Sequence, residues 1–173
     1  MDAADLYHEK QRLGHCAIHT LNNIYQESWV TYDMIADIAK ELHRVDLWNK
    51  SSTSFFGINP YMSLFPYYGD FDITCIQRLL EQRGSKIVQH IITEDQMTSI
   101  RDIDAFAFVV NLSFFFGRHW FGIIRIGETF YNLDSKLKTP QQYASLDILI
   151  DSLLLPLIRT KQVHIFCIAS SSP

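Results

Sequence analysis

Gly84 divides the chain into two stretches of different hydrophobic period, and that switch narrows the possible folds more than any other feature. Before it, apolar residues recur every three or four positions. Ala17, Leu21, Ile24 and Tyr25 share one face of a predicted helix, which places Cys16 near its N-terminus. Thr31 reads as the N-cap of a second helix with Met34, Ile35, Ile38 and Leu42 on its buried stripe. Asp72 caps a third with Ile73, Ile76, Leu79 and Leu80, and Gly84 stops it. Between them, 49–69 mixes a Ser/Thr run with aromatics, and Pro60 and Pro66 argue against one continuous helix. After Gly84 the runs are β-branched and aromatic, over 86–92, 105–112, 119–126, 129–134 and 162–169, with one more helix over 141–155 stopped by Pro156. Helices first and mostly sequential strands later predict an α+β fold, N-terminal helices packed on a mostly antiparallel sheet.

No linker or repeat splits the 173 residues, so one domain over 1–173 is expected, and 47% hydrophobic residues supply its core. A net charge of -4 offers no footprint for phosphate backbones, so nucleic acid is not expected as a partner. The N-terminus has no apolar leader, and the stretches 105–116 and 146–158 are too short to span a bilayer. Three cysteines without C-x-x-C spacing fit neither a disulfide framework nor a zinc knuckle. These features together predict a monomeric protein of a reducing compartment, in the cytoplasm or also the nucleus, with no membrane insertion.

Gly127-Glu128 separates two strand-like runs as a two-residue hairpin turn. Pairing Ile126 with Thr129 makes facing numbers sum to 255, so Asp134 faces Phe121 and His119 lies diagonally from it on the same sheet face. A four-residue turn would keep the two on one face; a three-residue turn would separate them. An imidazole held by a carboxylate is the base half of a nucleophilic triad, and Cys16, at a helix start that favours a thiolate, is the candidate nucleophile. Taken singly, the three also fit a small core residue, a hydrogen-bonded core histidine and a turn-capping aspartate. Cys75 and Cys167, among apolar neighbours, read as core residues. His15 and His19 flank Cys16 too closely for a tetrahedral zinc site, so neither metal nor cofactor is expected.

The segments Tyr7-His8-Glu9-Lys10-Gln11, Cys16-Ala17-Ile18-His19 and Leu21-Asn22-Asn23 resemble the opening of Josephin-family deubiquitinating enzymes. His119-Trp120-Phe121 and Asn132-Leu133-Asp134-Ser135 are similar to that family's later H-W and N-L-[ND]-S blocks. The resemblance is strong over 7–26 and 117–138 and only architectural elsewhere. It implies a papain-like cysteine peptidase that hydrolyses the bond at ubiquitin's C-terminus, with Cys16 as nucleophile, His119 as base, Asp134 orienting it and Gln11 completing the oxyanion hole. An amide donor near a helix start suits a tetrahedral oxyanion, though a surface Gln would look the same.

Ubiquitin or its chains would be the partner, with Trp120, Phe55 and Phe56 as substrate contacts. The aromatics of 49–69 suit equally a ubiquitin-gripping face and a satellite core. Asp at the third triad position, where long ataxin-type members carry Asn, and the lack of following ubiquitin-interacting helices place the chain nearer the short, domain-only members. A silent ubiquitin-binding module and another acyl transfer on the same scaffold are the rival readings.

Overall fold

The computed structural model describes residues 5–48, 58–62, 71–114 and 117–171. Three helices come first: α1 (Cys16–Tyr25), α2 (Tyr32–Trp48) and α3 (Ile73–Gln82). Their caps are those the sequence predicts. Thr31 Oγ1 accepts the Met34 N–H at 3.3 Å, Asp72 accepts from Thr74, and Gly84 follows α3 at φ +64°, a backbone state glycine adopts without strain. Met34 departs from the expected stripe. It is 37% exposed, because the buried face of α2 is centred on Ile35, Ala36 and Ala39, and the two alanines let the helix approach the core.

The strands are β1 (Ser85–Ile91), β2 (Ala107–Phe114), β3 (Gly117–Ile126), β4 (Thr129–Asn132), β5 (Gln141–Tyr143) and β6 (Gln162–Ser170). They form one antiparallel sheet in the order β1-β6-β2-β3-β4-β5. The four strands from β2 to β5 follow chain order; β6 returns to pair between β1 and β2. Ile165 and Cys167 are buried on one face and Phe166 and Ile168 on the other, so both faces of this strand are covered. A strand apolar on both faces gains most from a central place.

Helices α1 to α3 pack on one face with Trp120, Ile124, Tyr131 and Leu133. On the other face Phe121, Ile123 and Phe130 meet a 3₁₀ stretch, Asp95–Asp102, and the helical run before β6. The layout is α+β, as predicted. Helix α1 crosses β3 at Gly122, where an added Cβ would sit 2.7 Å from Ile24 Cγ1 and 3.3 Å from the Thr20 carbonyl oxygen. Glycine there is what lets the Cys16 helix lie directly on the sheet.

Two elements differ from the expected 141–155 helix. Its start is strand β5, and its end does not stop at Pro156: α4 (Leu146–Leu149) passes through a π-helical segment, Ile150–Leu154, into α5 (Leu155–Thr160), with Pro156 in the first turn of α5. Proline has no N–H and its ring crowds the carbonyl one turn back. The wider π turn absorbs that crowding, so the helix continues with a local bulge. Among the described residues no helix is long and apolar enough to cross a membrane.

Candidate active site

The hairpin forms with the predicted register. Ile126 pairs with Thr129, Arg125 with Phe130, Ile124 with Tyr131 and Ile123 with Asn132. Gly127 has φ +62° while Glu128 has negative φ, the sign pattern of a II′ turn. The ladder runs one bond past β4, Leu133 N–H to Gly122 O at 2.8 Å, and then the chain turns, with Leu137 N–H on Asp134 O at 2.9 Å. Asp134 therefore starts a turn instead of extending the strand. Its side chain still reaches across as the shared face requires, and Asp134 Oδ1 accepts His119 Nε2 at 2.8 Å.

Both partners are largely buried. Burial pushes the Asp134 carboxyl up, but the bonds from His119 and from the Lys136 N–H outweigh it, so the net position lies below the ordinary aspartate value. An ionised Asp134 accepts only, hence His119 Nε2 carries the proton and Nδ1 is the ring nitrogen left to act as base.

Cys16 is the first residue of α1, and first-turn N–H groups give the helix start a partial positive charge. It is 3% exposed. Beside it His15 stacks on Tyr32 at 5.3 Å, and Tyr32 leans on Phe71 at 5.8 Å. Cys75 and Cys167 are fully buried, and burial raises both thiols to about 12, far from reactivity at neutral pH. All three cysteines are free thiols.

The segment preceding Cys16 is tied to the Asp134 turn. His8 Nε2 meets Asp134 O at 2.9 Å, Gln11 N–H donates to Ser135 O at 3.0 Å, and Lys10 Nζ reaches the Leu137 and Lys138 carbonyls. Asn23 Nδ2, from within α1, donates to Leu133 O at 2.9 Å. These bonds bring the Cys16 helix, Gln11 and the His119–Asp134 pair to one end of the sheet. Gln11 Nε2 donates to Leu13 O at a long 3.3 Å, and its Oε1 is buried without a hydrogen-bond partner.

Trp120, expected as a substrate contact, is 2% exposed: Nε1 donates to Phe71 O at 3.1 Å and the ring lies 6.1 Å from Phe166. Its position on β3 alternates with His119, so it points into the helical face as a core residue. Phe55 and Phe56 lie outside the described residues. Of the 49–69 segment, Tyr61 and Met62 pack against the helical core. A groove of about 530 Å³ between α2 and α3, bordered by Ile38, Leu42, Val45 and Arg78, contains none of the residues above.

Sequence reasoning assigned no role to Glu9, His19 and Asn22. His19 Nδ1 lies 2.6 Å from Glu9 Oε2, and Asn22 Nδ2 donates to both Glu9 oxygens at 3.1 Å. Positions 19 and 22 share a helix face, and that spacing is the one signal that could have paired them.

The family model named Josephin matches residues 11–169. A Josephin-like protein of Arabidopsis thaliana is 29% identical over 152 residues, 80% of this chain and 41% of that protein. Josephin-2 of Mus musculus is 28% identical over 145 residues, 79% of this chain and 71% of that protein. The ataxin-3-like protein of Homo sapiens is 28% identical over 145 residues, with 39% of its length covered. The chain thus spans about two fifths of the first and third of these relatives. Among solved structures, the Pseudomonas avirulence protein AvrPphB is similar with a TM-score of 0.48 and 15% identity, over 97% of this chain and 100% of that one.

Proposed function

Since the chain belongs to the Josephin family and has its papain-like arrangement, a nucleophile helix packed on an antiparallel sheet, we propose that it is a deubiquitinating cysteine peptidase. The observation that carries this reading is the 2.8 Å bond from His119 Nε2 to Asp134 Oδ1, at the sheet end to which the chain just before Cys16 is tied. In the proposed reaction His119 Nδ1 takes the Cys16 proton, and the thiolate attacks the carbonyl carbon at ubiquitin's C-terminus. The resulting oxyanion takes the Gln11 amide, displacing its weak bond to Leu13 O. As the tetrahedral intermediate collapses, the amine leaves with the proton from His119, and a water deprotonated by the same nitrogen then releases the acyl group and restores the thiol.

The test is a ubiquitin carrying a thiol-reactive C-terminal electrophile, followed by mapping of the adduct and by turnover of a ubiquitin C-terminal amide. The wild type is expected to form a one-to-one adduct at Cys16. Cys16→Ala and His119→Ala should abolish turnover while leaving ubiquitin binding and the melting temperature nearly unchanged in the cysteine variant. Burial of Cys16 favours one rival, a silent ubiquitin-binding module. Binding without adduct or turnover would establish that rival and refute the peptidase reading.

A further inference from the structure

The nucleophile, base and oxyanion donor leave one polar cluster without a role. Glu9 receives His19 Nδ1 at 2.6 Å, Asn22 Nδ2 at 3.1 Å and the Tyr7 hydroxyl, while its own N–H donates to Asn23 Oδ1 at 2.6 Å. Burial pushes the Glu9 carboxyl up, yet these donors outweigh it and hold it below the ordinary glutamate value. An ionised carboxylate only accepts, so Nδ1 of His19 must carry a proton.

The other ring nitrogen faces a group that can only donate, the backbone N–H of Arg12, 3.2 Å from His19 Nε2. That contact requires a bare lone pair on Nε2. Of the three protonation states of an imidazole, only the neutral Nδ1–H form satisfies both neighbours; a protonated ring would set two N–H groups against each other.

Arg12 begins the turn that leads from Gln11 to Cys16. Leu13, at the crest of that turn, has φ +54° and is 71% exposed, so a strained backbone is held there with little help from its own side chain. Around Leu13 the other bonds are long, Gln11 Nε2 to Leu13 O at 3.3 Å and His15 N–H to Arg12 O at 3.4 Å, and the shorter one from Cys16 N–H to Gly14 O at 3.0 Å ties only the far end of the turn.

We propose that His19 is a positioning residue: its Nε2 lone pair, aimed by Glu9 acting on Nδ1, holds the Arg12 N–H and with it the strained turn that sets Gln11 relative to Cys16. The inference rests on the peptidase reading for its catalytic consequence, but its geometry is measurable without it. Two substitutions divide the ring's two bonds. His19→Asn puts an amide donor where Nδ1 stood and has nothing at the Nε2 position. His19→Gln extends to the Nε2 position and presents a carbonyl oxygen to Arg12.

On wild-type protein, nitrogen-15 spectra should show Nδ1 protonated and Nε2 bare, with a scalar coupling from Nε2 to the Arg12 amide. H19N should lower kcat by about tenfold or more with KM within about twofold, since a small misplacement of a catalytic group costs rate before it costs binding. H19Q should recover most of that loss. A proton on Nε2 in the wild type, or equal kcat for H19N and H19Q, overturns the proposal. If the wild type turns over no ubiquitin substrate, the peptidase reading fails by itself. Amide exchange over 12–14 then decides, faster in H19N than in H19Q supporting the anchor and equal rates refuting it.

Discussion

Beyond the two bonds at its carbonyl, Asp134 makes three more: Oδ1 accepts His119 Nε2 at 2.8 Å and the Lys136 N–H at 2.9 Å, while its own N–H donates to Asn132 Oδ1 at 3.0 Å. Both side-chain bonds use the same oxygen, so an amide at this position can keep them and place its nitrogen where Oδ2 stood. Asp134→Asn should therefore be much milder in kcat than Asp134→Ala, and equal near-wild-type rates for the two would remove Asp134 from the triad. A carboxyl held below its ordinary value contributes stability that is fully present above the unfolded-state value and is lost as pH falls through the folded one. Urea titrations from about pH 7 to about pH 3 should show the stability gap between wild type and D134N shrinking as pH falls. The three thiols are all buried, so exposure does not rank them; burial raises Cys75 and Cys167 to about 12, whereas Cys16 stands at a helix start, whose N–H groups favour a thiolate. Iodoacetamide near pH 8 should modify Cys16 first, with Cys75 and Cys167 reacting only on unfolding; mass spectrometry showing all three modified together would contradict this.

The β3–β4 hairpin was the most legible element because a two-residue turn leaves no freedom of register, and one pairing then places every later residue, His119 and Asp134 included. The π segment and the Glu9–His19 contact were not legible. The first arises from a proline that the helix accommodates instead of ending, and the second from a loop that returns onto α1, which no periodicity encodes. Gly122 belongs with these, since a glycine inside a strand says only that something comes close. Here it is α1, and Gly122→Ala should push Ile24 and the Thr20 backbone away from β3. The expected cost is about 1–3 kcal/mol by chemical denaturation, with kcat lowered because the displaced helix carries Cys16. Ile24→Ala in the same chain should return part of the stability, a non-additivity that a double-mutant cycle would reveal.

Across the chain as folded, the site is assembled from segments far apart in sequence: the lone Cys16 helix, the leading segment from Tyr7 to Gln11, and the 133–138 turn are joined by bonds spanning more than a hundred residues. The order of the runs predicted the α+β class correctly, but not that β6 would enter the middle of the sheet; the signal was there in the unbroken apolar stretch Ile165-Phe166-Cys167-Ile168. Ile165→Ala in that strand should cost about 2–5 kcal/mol, whereas Val88→Ala on the sheet-edge strand β1, where Val88 is exposed, should fall within about 0.5 kcal/mol. Because β2 finds one of its two partners only in β6, a ribosome must have delivered residue 170 before the sheet can close. Until then one edge of β2 and the apolar faces of the half-built sheet stay open to chaperones and proteases, so closure of this fold waits for β6 to be synthesised.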